Sequence, residues 1–337
     1  MALLPRRALL AAPLAFACAR PPPRSAPARQ QYSERPLDYV PAAGLRWLVV
    51  ISPAKLSENQ SFRPALDILF SRARLHGYER STGIELDRIE HAAIAGFDAA
   101  TLYVARLPPN AAESVRARFE ARQLRGANQR RPAPGLVVMT GASQGAPVGL
   151  ATIDERVLAY STGSLIYVRI AEAYALGKLK AKRAFEGAAL SGLLLAEEAP
   201  IAAFVPGPVP EQWEHAAGGL LQVTTALTLR LWPKSKERGL AELTLHGDFT
   251  GAGATERLRA AYMSVAGSST GALLGLASAL DPRAIEQGDR VTLRVPLSLT
   301  EIARGARAAT SADVSEIVRL SGPDRALQSI GQEPEGP

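Results

Sequence analysis

The chain has 337 residues, 47% of them hydrophobic and 21% charged, with a single cysteine. That much apolar material excludes an intrinsically disordered protein, and one cysteine excludes a disulfide-built scaffold, a zinc ribbon or an iron–sulfur protein. Net charge is +7, but Arg6, Arg7, Arg20, Arg24 and Arg29 fall in the first 30 residues, which contain no acid, so the remainder carries +2. A near-neutral body lacks the basic footprint of a nucleic-acid binder.

Residues 1–17 set Arg6 and Arg7 ahead of a mostly apolar, uncharged run, and Cys18 follows it. This order of positive region, apolar region and small-residue exit is that of an export signal, and it is too short for a permanent membrane span. The segment Leu14-Ala15-Phe16-Ala17-Cys18 resembles the processing site of bacterial lipoproteins. The resemblance covers these 18 residues alone. It implies cleavage before Cys18, a lipid on that cysteine, and anchoring in the bacterial cell envelope on the periplasmic or outer-membrane side. Ala15 and Phe16 depart from the family's preferred residues, and ordinary cleavage after Ala17 or Ala19 is the competing outcome. Residues 18–40 open with a Pro- and Arg-rich stretch that cannot build a core and reads as a disordered tether.

Along the body, 45–52 is a β-rich run stopped by Pro53, and 61–75 places Phe62, Leu66, Leu69, Phe70 and Ala73 at helical spacing. Segments 89–97 and 101–107 read as strands around Asp98. Asn110 with Glu113 marks the start of a helix. Strands follow at 136–140, 148–153 and 156–160, the last two around an Asp154-Glu155 turn. Over 164–176, Ile166, Ile170 and Tyr174 point to a helix facing a sheet. In the second half, strands are expected at 201–205, 220–231, 240–246 and 291–297, with helices at 255–265 and 273–280. Ser298 with Glu301 forms a capping box for a last helix.

The predicted class is α+β, with antiparallel or mixed sheets and helices on one face. The proline-ended strand at 48–53 recurs at 201–206, an offset of 153 residues, which suggests two duplicated halves. The expected organisation is signal 1–17, tether 18–40, first half 41–177, connector 178–198, second half 199–320 and a disordered tail 321–337.

Little in the chain carries chemistry. His76, His91, His215 and His246 have no metal-ligand spacing, so no metal or cofactor is expected. Gly141-Ala-Ser143-Gln-Gly145 fits the pattern of a nucleophile elbow, but Pro147 disfavours the helix that should follow. Arg116, Arg118, Arg122, Arg125, Arg130 and Arg131 form the densest basic patch of the body, suited to an anionic polymer or an acidic envelope partner. The leading expectation is a non-enzymatic envelope lipoprotein with a binding or assembly role, held to the membrane by its lipid. The alternatives are a carrier of lipid or another small apolar ligand and, behind it, a serine hydrolase using Ser143.

Overall fold

The computed structural model describes residues 32–123, 126–143, 145–179, 187–209, 216–235, 237–249, 253–276 and 282–311. Two short apolar strands, β1 (Trp47–Ile51) and β8 (Ile201–Pro206), pair antiparallel at its centre, with Leu48 opposite Phe204 and Ile51 opposite Ile201. Outward from β1 run β2 (Ala92–Phe97), β3 (Ala100–Arg106), β7 (Val157–Thr162), β6 (Ala146–Ile153), β5 (Leu136–Ser143) and β4 (Asn128–Ala133). Outward from β8 run β9 (Thr224–Ser235), β10 (Arg238–Gly247), β12 (Arg290–Ser298) and β11 (Arg283–Gln287). All twelve strands belong to one sheet, and every neighbouring pair is antiparallel. The mixed α+β class is therefore observed. Separate sheets are not: the hydrogen-bonded ladder crosses from one half to the other without a break.

Strand alternation gives the sheet two faces. On the first, Leu48, Val50, Leu102, Val104 and Ile153 are buried under three elements: a 3-10 turn, Pro36–Tyr39, helix α5 (Ile166–Ala175) and helix α6 (Gly187–Glu197). Each large side chain buried there contributes about 1.5–3 kcal/mol. The second face is covered in the first half by α4 (Ala111–Ala121), whose Ala112, Val115 and Phe119 pack on Met139, Leu150 and Leu158. In the second half α7 (Ala254–Ala266) sets Leu258 against Leu245, Val291 and Leu293. Helices α1 (Pro53–Glu58) and α2 (Arg63–Leu69) meet α9 (Leu299–Ser311), which follows the short α8 (Ser269–Leu273), through Phe62, Ala65, Leu299 and Ala303. Helices thus lie on both faces. The expectation of one covered face fails because the two faces of the central strands are both largely apolar.

Several local readings also change. The helix expected over 61–75 breaks after Leu69, because Ser71 caps a new helix, α3 (Arg72–Thr82), by accepting from the Arg74 N–H. Asn110 precedes α4 in the left-handed region at φ 65 with no side-chain cap. The buried stripe of α5 is Val168, Ala171 and Ala175, while Ile166 is 54% exposed. The helix is turned this way because Tyr167 stacks on Phe97 at 3.8 Å and Gly149 leaves room beneath Val168. Strands β4 and β11 carry no alternation in sequence, because their side chains are mostly polar and almost wholly exposed.

Residues 32–40, placed above in the tether, are part of the body: Leu37, Tyr39 and Val40 are buried and Tyr39 donates to the Ser33 carbonyl at 2.7 Å. The 3-10 turn gathers Pro36, Leu37 and Tyr39, with Val40 behind them, into one buried face. Within 178–198, α6 packs on β8 and β9 rather than merely connecting.

Candidate functional site

Two features of the sheet stand out as places where a partner or ligand could bind. The first lies on the second face, between α4 and α7. There the register aligns Tyr103, Ile94, Val49, Ala203 and Leu229 across five adjacent strands. Tyr103 is 39% exposed and Leu229 46%, and the side chains between them are only partly buried. Trp47, 40% exposed, lies flat against β2 because Gly96 has no side chain: a Cβ there would stand 2.0 Å from the indole. Tyr103 continues into Tyr160, with ring centroids 6.0 Å apart, and Tyr160 meets Phe119 edge-on at 6.3 Å. Burial raises the Tyr160 phenol above its ordinary range against the opposing pull of the nearby Arg122 cation. Its floor is about 19 Å wide at ordinary strand spacing, against a helix diameter of about 10 Å.

The second feature is at the opposite face, where β1, β2 and β3 end. Ser52, His91 and Arg106 stand side by side on consecutive strands, since the ladder that pairs Ile51 with Ala92 and Ala92 with Ala105 continues by one residue. Ser52 occupies the cap position of α1 but makes no cap bond; its Oγ lies 3.1 Å from His91 Nδ1. Burial lowers the His91 pKa from its ordinary value, helped by the cations of Lys55 and Arg106, so the ring is neutral at pH 7. The buried Ser52 hydroxyl and the His91 ring are hydrogen-bonded to each other, which holds the ring in place. Beside them opens a cavity of about 270 Å³, walled by Leu37, Val50 and Ala93 and by ion-paired charged groups. Arg106 binds Glu34 and, at 2.7 Å, Glu90; Arg35 binds both oxygens of Glu197 at 2.6 and 2.8 Å.

The residues singled out from sequence are scattered. Cys18, Arg125 and His215 lie outside the described residues. Arg116 turns inward to Thr152 Oγ1 at 3.0 Å and to Glu155, on the second face. Arg130 makes a two-pronged contact with Glu172 of α5, on the first face. Arg118 and Arg122 share α4, and Arg131 lies exposed on β4, so the six positions do not converge on one surface. Ser143 pairs with Ala146 at the exposed tip of the β5–β6 hairpin. It therefore sits in a strand-to-strand turn, not the strand-to-helix turn of a nucleophile elbow, and it bonds to no histidine among the described residues. His76 faces Glu79 at 3.5 Å. Among the described residues no cluster of His, Cys, Asp and Glu is arranged to hold a metal ion, and no helix is long and apolar enough to cross a membrane.

Neither feature was found by motif. The available signals were a serine just before Pro53 at a strand end and a histidine at the start of the next strand pair; only the antiparallel register joins them. Comparison with protein-family models, curated proteins and solved structures gives no match to this chain.

Proposed function

We propose that this is an exported binding protein, lipid-anchored through Cys18 to the bacterial cell envelope, whose body docks an amphipathic helix of a partner protein on the open strip. The single observation behind the docking reading is the exposed row Tyr103–Leu229, with Trp47 beside it, in a sheet otherwise layered with helices. The floor, about 19 Å wide, has room for a helix of about 10 Å and is bounded by α3 and α4 on one side, α7 on the other, and α1, α2 and α9 at one end. Aromatic and aliphatic side chains without charge suit the apolar face of such a helix. A partner helix is favoured over an acyl chain because the strip is an open floor, whereas a lipid carrier encloses its ligand. The anchor rests on the resemblance of the first 18 residues to lipoprotein signals. The equal strand order outward from β1 and β8 supports reading the halves as a repeat of one unit, with α1–α3 and the β4–β5 hairpin as additions to the first.

Both parts of the proposal can be tested in cells. Intact mass of the membrane fraction should show a chain beginning at lipidated Cys18; an unmodified Met1 chain in the soluble fraction overturns the anchor. A photocrosslinker at Leu229 should trap one discrete protein through a helical segment, with loss of the product in Tyr103→Glu at unchanged thermal midpoint. Trapped lipid, or a product indifferent to Tyr103→Glu, overturns the docking reading.

A further inference from the structure

The helices on the first face carry a second apolar surface, turned away from the sheet. Residues 187–196 of α6 hold Ser191 as their one polar side chain, so the helix has no polar side. Leu193 and Ala196 pack on the sheet, while Leu190 is 37% and Leu194 50% exposed, one turn apart. On α5, Ile166 and Ile170 lie opposite the buried stripe of Val168, Ala171 and Ala175, with Arg169 exposed beside them. We propose that this surface lies in the membrane interface, with α6 seated among the lipid headgroups and the strip on the other face turned away from the bilayer. The inference rests on the anchor at Cys18 and adds which face of the body meets the membrane.

Three observations select a lipid surface. An outward leucine pair on a helix without a polar side exposes apolar area that an interface would bury. At eleven residues α6 is too short to cross a bilayer but suited to lie in its surface. Cations frame it: Lys178 is exposed after α5, and Lys180, Lys182 and Arg183 follow in sequence before α6, against the single acid Glu186. The tether adds Arg20, Arg24 and Arg29 and no acid. Anionic headgroups complement these charges, whereas a second copy docked about a two-fold axis would bring like charges together. The acids at the far end of α6, Glu197 and Glu198, are each ion-paired, to Arg35 and Arg230. The first of these pairs also sets where the tether joins the body: Arg35 grips the end of α6 through both Glu197 oxygens, at 2.6 and 2.8 Å. The chain from Cys18 to Arg35 spans at most about 60 Å, so a lipid on Cys18 keeps α6 within reach of the bilayer.

The test uses the full chain with Cys18→Ala, so that no lipid is attached and an introduced cysteine is the only thiol. The environment-sensitive dye NBD is attached through Leu194→Cys or, on the opposite face, through Leu229→Cys. Each labelled chain is mixed with vesicles of equal parts phosphatidylethanolamine and phosphatidylglycerol. The expected result is a blue-shifted emission, about twofold brighter, from the dye at Leu194, quenched by spin-labelled lipid, with an unchanged aqueous emission at Leu229. Adding Leu190→Glu, or replacing the vesicles by pure phosphatidylcholine, should remove about half of the gain. Residues 1–17 can carry either labelled chain to a vesicle, so the contrast between the two sites decides. An aqueous emission at Leu194, an equal response at Leu229, or a response indifferent to Leu190→Glu or to the loss of anionic lipid overturns the proposal. Because the labelled chain carries no lipid, a failure of lipidation at Cys18 shows in the intact mass and leaves this readout unaffected.

Discussion

The two halves run the same strand order outward from the β1–β8 pair, yet they furnish the first face of the sheet in opposite ways. Around β2 and β3 that face is Ala93, Ala95, Leu102 and Val104, all buried under the Pro36–Tyr39 turn and α5, whereas α6 lies over β8, β9 and β10. Across β9, β10 and β12 the corresponding rows are Arg230, Glu242 and Arg294, then Thr228, Thr244 and Thr292, with His246 opposite Arg290. Arg230 and Glu242 are bonded to each other, Arg294 reaches Glu242 at 2.7 Å, and the Arg230 guanidinium lies 4.6 Å from the Trp232 ring centroid. The closing helices follow this chemistry. After β7 the chain lays α5 on the apolar first face; after β12 it lays α9 on the second, where Val291, Leu293, Val295 and Leu297 point. A shared strand order does not dictate the layer above it. The alternation of side chains does.

If this contrast is right, the largest effect comes from breaking the polar field at its centre. Burial pushes the Glu242 carboxyl up, but the bonds and charges of Arg294 and Arg230 outweigh burial and hold its pKa below the ordinary value. Glu242→Ala leaves the nearly buried Arg230 with only the more exposed Glu198, at 2.8 Å, and should cost about 2–4 kcal/mol by urea unfolding at pH 7. Replacing Arg230, Glu242 and Arg294 together by Met and Leu should be neutral or stabilising, because the desolvation of three ions disappears with their attraction. A triple variant as unstable as Glu242→Ala would show that the ions are not the cause. On the apolar side, Leu102→Ala should cost about 2–4 kcal/mol at every pH from 5 to 8, since only packing and a cavity are involved.

A smaller effect distinguishes the regions by pH. His246 is fully buried and neither ring nitrogen is bonded among the described residues; burial, and then the Arg290 cation, lower its pKa. A histidine with a lowered folded pKa binds fewer protons folded than unfolded. Its contribution is intact above the ordinary value of about 6.5 and is lost as pH falls below it, by up to about 1.4 kcal/mol per pH unit. His91 acts in the same direction. His246→Leu should therefore flatten the decline in stability between pH 7 and pH 5, while Leu102→Ala leaves its slope unchanged. An unaltered slope in His246→Leu removes this histidine as the source.

Much of this architecture was legible in the chain. Strong alternation announced β9, β10 and β12, and the proline-ended runs announced β1 and β8. What alternation does not carry is the partner of each strand, so neither the single sheet nor the Ser52–His91–Arg106 row could be read. The polar field was equally hidden: Thr228, Arg230, Glu242 and Thr244 look like the solvent side of half-buried strands, and their burial depends on what packs above them. Edge strands β4 and β11 show the converse, having exposed side chains and backbone pairing that polar residues do not advertise.

The smallest effect concerns the switch of the closing helix itself. Ser298 ends β12 and caps α9 by accepting from the Glu301 N–H at 3.4 Å, so strand and helix join without a loop and the helix must turn onto the face toward which Leu297 and Leu299 point. In the first half Gly163, at φ 83, Ser164 and Leu165 intervene between β7 and α5, and the helix lies on the other face. Ser298→Ala should remove only the cap, costing about 1 kcal/mol, with the fold retained. Inserting Gly-Ser after Ser298 should cost more than the cap alone, because α9 would lose its register against α2 while the first face offers it arginines and threonines instead of leucines. Thermal unfolding of the two variants ranks them. An insertion no more harmful than Ser298→Ala would mean that the apolar second face, and not the missing loop, holds α9 in place.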